Sequence, residues 1–144
     1  MRYIDPLEIV TKTTQHLYYI GNSSDKINDM MNVIYNKTVD MMKLINTTND
    51  PNLLNIIKDT YIKITKVSKN SKLIIYKSRD ICAKATNTLN NMISVDNTVN
   101  SLHSIINISK DLNKVSIEIC DWCKTMNTTI ELLDTILGHN VVLK

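Results

Sequence analysis

From Ile105 to Ile136 the chain places a residue that is apolar, or in one case Thr, at alternating spacings of three and four: Ile105, Ile108, Leu112, Val115, Ile119, Trp122, Met126, Thr129, Leu133 and Ile136. Such spacing lines ten side chains along one stripe of an α-helix, and that stripe must be buried against partner helices. Ile106, Ile117, Ile130, Leu132 and Leu137 broaden the stripe. A helix with so wide an apolar face is expected to meet at least two neighbours. The same spacing recurs in Ile27, Met31, Ile34, Thr38, Met41 and Ile45, and predicts a second helix over 23–46. A shorter helix at the start carries Leu7, Val10, Thr14, Leu17 and Tyr18 on roughly one side.

Local signals set the expected ends of these helices. Asp5-Pro6-Leu7-Glu8 and Asp50-Pro51 place a capping carboxylate before a proline suited to the first helical position, and Glu8 can reach back toward the cap. Gly21 is expected to stop the first helix and Gly138 the last, each as a left-handed C-terminal residue. Ser23-Ser24-Asp25 and Ser94-Val95-Asp96-Asn97 supply further caps, and Asn46-Thr47-Thr48-Asn49 marks the end of the second helix. From Pro51 to about Met92 the chain reads as one long helix or as two, broken near the four polar residues Ser68-Lys69-Asn70-Ser71, with a continuous but weakened helix the favoured reading.

A last helix of some 40 residues would extend roughly 60 Å at about 1.5 Å per residue, so its partners must be long as well. The expected architecture is all-α: an elongated antiparallel helical bundle with heptad, coiled-coil-like packing. Three long helices, 23–46, 51–92 and 97–137, lie side by side, with the short N-terminal helix capping one end or completing a fourth member of the bundle, and residues 1–144 form a single domain. With two Gly and two Pro in 144 residues, the punctuation needed for many short strands is missing.

Composition adds little chemistry. Hydrophobic residues make up 43% and charged residues 22%, which argues against a disordered chain. An excess of Ile, Asn and Lys is what an AT-rich genome writes, such as that of a large DNA virus or an AT-rich microbe. The N-terminus shows no basic segment followed by an apolar run, and no stretch reaches the roughly 18 apolar residues of a membrane span. Three cysteines without a leader fit a reducing compartment. The chain is therefore expected to be soluble and unsecreted, in the cytoplasm of its cell or host, or in a virion.

Cys120 and Cys123 form a CxxC, the spacing of half a zinc site or a redox pair. Here the motif stands in the middle of a heptad helix beside Trp122, while Cys82, His103 and His139 lie at no characteristic spacing. The cysteines are read as packed thiols. His16 is equally isolated, and no phosphate-binding glycine loop, dinucleotide fingerprint or zinc-protease motif is present. Asp111 and Glu118 are read as flanking the helical seam. No catalytic residue, metal site or cofactor is expected, and the chain is read as a non-enzyme. Met30, Met31, Met41 and Met42 are read as core filling, with an adaptable partner groove as the alternative.

One surface feature stands out. Lys58, Lys63, Lys66, Lys69, Lys72, Lys77, Arg79 and Lys84 stand against only Asp59 and Asp80, so the segment 58–84 carries +6 while the whole chain carries +3. On a helix, Leu53, Ile56, Ile57, Ile64, Val67, Ile74, Ile75, Ile81 and Ala85 share one side. All the basic residues except Lys63 fall on the other. The leading expectation is a structural or protein–protein interaction protein whose partner is another protein or its own copy, as a homo-oligomer. The alternative is a module binding nucleic acid or acidic lipid headgroups through Lys58, Lys66, Lys69, Lys72, Lys77, Arg79 and Lys84. With only Arg2 and Arg79 in the chain, bidentate phosphate recognition is not its main mode.

Overall fold

The computed structural model describes the backbone of residues 6–94 and 98–142, and the side chains of 7–91 and 103–138. Three long helices account for nearly all of it: α1 (Pro6–Lys43), α2 (Pro51–Ser94) and α3 (Thr98–Val142). A single 3-10 turn, Leu44–Asn46, finishes α1. Among the described residues there is no strand. The helices pack against each other as a bundle.

Burial explains why these segments are helical. Within α3, Ile105, Leu112, Ile119, Met126 and Leu133 are seven residues apart and each is fully buried. In α1 the corresponding series is Thr13, Ile20, Ile27, Ile34 and Met41, and in α2 it is Ile57, Ile64, Ser71, Ser78 and Ala85. Each helix buries further residues three and four positions after these, as in Val115 with Ser116 of α3. Three inward positions per two turns is the stripe of a helix that faces a core. All ten seam residues of α3 are buried or half-buried, as expected, while Ile117 is exposed.

Contacts divide the chain into two compact units. One comprises Met1–Asp25 and Ile74–Asp121, the other Lys26–Leu73 and Trp122–Lys144. Each is built from a segment of α1, a segment of α2 and a segment of α3. In the first unit Lys77 Nζ lies 3.0 Å from Glu118 Oε2 and joins α2 to α3. The second contains an ion pair between Lys37 and Asp134, which joins α1 to α3. There the Trp122 indole N–H also donates to Ser71 Oγ at 2.8 Å.

Both glycine stops are corrected by the structure. The short N-terminal piece is helical, but it is continuous with the segment beyond it, so α1 runs through Gly21 and through Ser23-Ser24-Asp25 without a cap. Likewise α3 runs through Gly138. No described glycine has a positive φ, so neither adopts the left-handed conformation of a C-terminal stop. A glycine costs a helix about 1 kcal/mol, and burying Ile20, Ser24 and Ile27 on both sides of Gly21 outweighs that. The inward face of the N-terminal piece is corrected as well. Counting back in sevens from Ile27 reaches Ile20 and Thr13, leaving Leu7, Thr14 and Tyr18 exposed. Thr13 tolerates burial because its hydroxyl donates to the Ile9 carbonyl at 2.8 Å. At the other end of α1, Leu44 is buried in place of Ile45.

Other boundaries match the local signals. Asp50 Oδ1 accepts the Asn52 N–H at 3.0 Å and caps α2. Through Ser68-Lys69-Asn70-Ser71, α2 is unbroken. Glu8 pairs with Lys12 at 3.1 Å, while its expected partner Asp5 and the cap at Val95-Asp96-Asn97 lie outside the described residues.

Candidate functional site

The basic residues expected to act together are all exposed on α2, but the structure gives them different surroundings. Lys58, Lys66, Lys69 and Lys72 belong to the second unit, whereas Lys77, Arg79 and Lys84 belong to the first. Lys77 is engaged by Glu118, and Lys84 pairs with Asp80 at 3.2 Å one turn earlier on the same helix. Such exposed pairs contribute little to stability, yet each offsets a positive charge. Among the described residues, Lys58, Lys69 and Lys72 have no carboxylate within ion-pair distance.

Those three lysines line a groove. In the second unit α1 and α2 leave three adjoining hollows between them, of about 560, 430 and 430 Å³. Tyr61 lines all three, Tyr35 the first two and Met42 the last two, so the hollows adjoin around these side chains. Buried Ile34, Ile57 and Ile64 form the floor. Along the groove the helices expose large apolar or aromatic groups, including Tyr35 at 68% and Leu73 at 58%. Lys43, Lys58, Lys69 and Lys72 are the charged residues of the lining, and no carboxylate is among them. Lys66 is exposed but does not line it.

Apart from the alternative reading of the methionine cluster, the sequence did not indicate this groove. Its tyrosines fall outside the heptad stripe, where periodicity has no use for them. One signal was available: the chain has no Phe, and its aromatic groups are therefore mostly Tyr. All five described tyrosines, at 18, 19, 35, 61 and 76, are exposed. The methionine cluster divides between the two readings given to it. Met30 and Met41 are buried, while Met31 and Met42 are half-buried and line the groove.

The cysteines do not behave as a set. Cys120 is exposed, which corrects its reading as a packed thiol, because it sits one residue beyond the buried Ile119 and faces outward. Cys82 and Cys123 are half-buried, and none of the three is in a disulfide. Burial pushes the Cys82 thiol above its ordinary value of 9.0. No three His, Cys, Asp or Glu side chains converge where a metal could be held, among the described residues. His16 is half-buried and His103 exposed, on different helices. Asp111 and Glu118 are both exposed on α3, beside the seam. Among the described residues no helix is long and apolar enough to cross a membrane.

No family model, curated protein or solved structure matches this chain.

Proposed function

We propose that this protein is a non-enzymatic interaction module, which binds another protein through the α1–α2 groove of its second unit. The observation that carries the reading is the row of exposed apolar and aromatic side chains along that groove. Tyr35, Val39, Ile45, Tyr61, Ile62 and Leu73 lie on a helical surface where charged or small polar groups would cost nothing. Contiguous exposed apolar surface of this kind marks interaction sites, and tyrosine is enriched at them.

The reading includes a packing arrangement. We take α1 and α2 to run antiparallel with heptad packing. Support comes from the groove's lining, where Met31 shares one hollow with Lys72 and Leu73 while Ile45 shares another with Leu54 and Ile57. As numbers rise along α1 they fall along α2. The seven-residue recurrence of buried positions in all three helices supports the heptad part.

Binding of nucleic acid or acidic lipid by the whole basic face is less favoured. Two of its seven residues are already paired, and the unpaired lysines of the groove stand among apolar groups. A photocrosslinking residue in place of Tyr61, in the intact protein within its native cells, tests the interaction reading. Protein adducts are expected at that position, and none from the exposed Asn113 on α3. Adducts at neither position would reject the reading.

A further inference from the structure

We infer that the occupant of the groove is an amphipathic α-helix with acidic flanks, contributed by a different protein. This inference rests on the interaction reading above and supplies the chemistry of the partner. The shape comes first. Along α2 the lining runs from Leu54 to Leu73, roughly 28 Å at about 1.5 Å per residue, which matches a helix of about five turns. The floor of isoleucines and the walls of Met31, Met42, Tyr35 and Tyr61 present an apolar trough between two helices. A third helix laid in such a trough buries one apolar stripe, its anchors spaced three and four apart. Two flexible methionines let the walls adjust to anchors of different shape.

Charge then selects the partner. Lys58, Lys69 and Lys72 carry no ion pair among the described residues, and no carboxylate lines the groove. All three lie on the flank of α2 that faces the groove, so a helix seated there would bring its own flanking residues beside them. Glutamate or aspartate at those flanks is complementary, and lysine or arginine is repelled. The same charges argue against a second copy docked groove to groove. A symmetric interface sets each patch against the same patch of the partner, and since no carboxylate lines the groove, its lysines would find no opposite charge there. A nucleic acid or a lipid surface would use the lysines but leave the apolar floor and the two tyrosines without a role.

The test uses the full chain and two synthetic helical peptides of about 18 residues. Both carry leucine at spacings of three and four; one has glutamate on both flanks and the other lysine. By titration calorimetry the glutamate peptide is expected to bind, and the lysine peptide not. Tyr61→Ala should weaken binding by about tenfold or more, as should the triple change Lys58→Glu, Lys69→Glu and Lys72→Glu. Because the substituted side chains are exposed, helicity should be unchanged by circular dichroism. The triple variant should also now accept the lysine peptide, an exchange of preference that a misfolded chain cannot produce. Reversing Lys77 and Lys84 together should leave the affinity unaltered.

Equal binding of both peptides, or binding indifferent to Tyr61, would overturn the inference. So would failure of both peptides to bind. Binding of a 20-base-pair DNA duplex or of phosphatidylserine vesicles that is lost in the lysine variant but kept in Tyr61→Ala would assign the lysines to a polyanion instead. A dimer in sedimentation that the glutamate peptide cannot dissociate, and that Tyr61→Ala abolishes, would assign the groove to a second copy. Protein adducts at position 61 without peptide binding would reject only the acidic-helix chemistry; absence of adducts would reject the interaction reading beneath it.

Discussion

Serine and threonine do unexpected work in this core. Thr13, Thr60, Ser71 and Ser78 occupy inward positions that periodicity assigns to apolar residues. A hydroxyl in a helix can donate to the carbonyl four residues earlier, as Ser78 does to Ile74 at 2.6 Å, and so enter a core without an unmet hydrogen bond. Ser71 goes further by accepting the Trp122 indole N–H. Read along the chain, Ser71 belongs to a polar break; folded, it is a contact between helices. Residue-scale differences of this kind extend to the thiols. Cys120 is exposed and Cys82 half-buried with its pKa raised, so a disulfide reagent at pH 8 should modify Cys120 first and Cys82 slowly. Because desolvation opposes the thiolate, the Cys82 rate should keep climbing as pH rises past 9.0. Linked stability follows from the same desolvation but runs the opposite way: it is full below the ordinary thiol value and declines as pH rises through the raised one. Mass spectrometry of Cys82→Ser and Cys120→Ser variants would check the order, and faster labelling of Cys82 would contradict it.

At the scale of the element, Gly21 separates two accounts of α1. A left-handed stop would make any side chain there strained. Within a continuous helix, a side chain removes the conformational cost of glycine. The φ of Gly21 is not positive, and a Cβ built on it meets nothing within 4 Å. Gly21→Ala is therefore expected to stabilise the protein by about 0.5–1 kcal/mol, read as a higher midpoint in urea denaturation. Destabilisation would mean that α1 breaks at this residue. Asp50 shows the contrasting case. Its carboxylate is followed by proline and precedes an apolar series, and the local chemistry alone placed the start of α2 correctly. Gly21 misled because the glycine signal is the same at a stop and inside a helix, and only the burial of its neighbours tells them apart.

For the whole molecule, the core is a ledger of seven-residue repeats present in both units. Leu112 belongs to the first and Leu133 to the second, both fully buried and neither lining the groove. Leu112→Ala and Leu133→Ala should each cost about 2–5 kcal/mol in urea denaturation, while Ile117→Ala, exposed on the same helix, should change stability by less than about 0.5 kcal/mol. A small loss at either leucine would show that its unit is loosely packed. Charge also reads differently at this scale. The +6 of segment 58–84 looked like one face, but Glu118, from another helix, partly neutralises it in one unit. What remains beside the groove is a smaller set of lysines with no ion pair among the described residues, and it lies next to apolar surface.

The order of apolar and polar residues by itself determined that the chain is helical, where most of the long segments begin and end, and which face of α3 turns inward. Those properties follow from hydrogen bonds between residues four apart and from a stripe that repeats every two turns, so a one-dimensional pattern suffices to state them. The seam of α3 was legible residue by residue for this reason. Tertiary structure decided the rest. It made one helix of the two segments joined at Gly21, because buried neighbours on both sides outweigh the cost of a glycine. It paired Lys77 with Glu118, 41 positions away, and left Lys58, Lys69 and Lys72 without an ion pair among the described residues. It also placed Tyr35 and Tyr61 on the walls of one groove. No spacing along the chain encodes such proximities, since they depend on which faces of different helices meet when the stripes are buried.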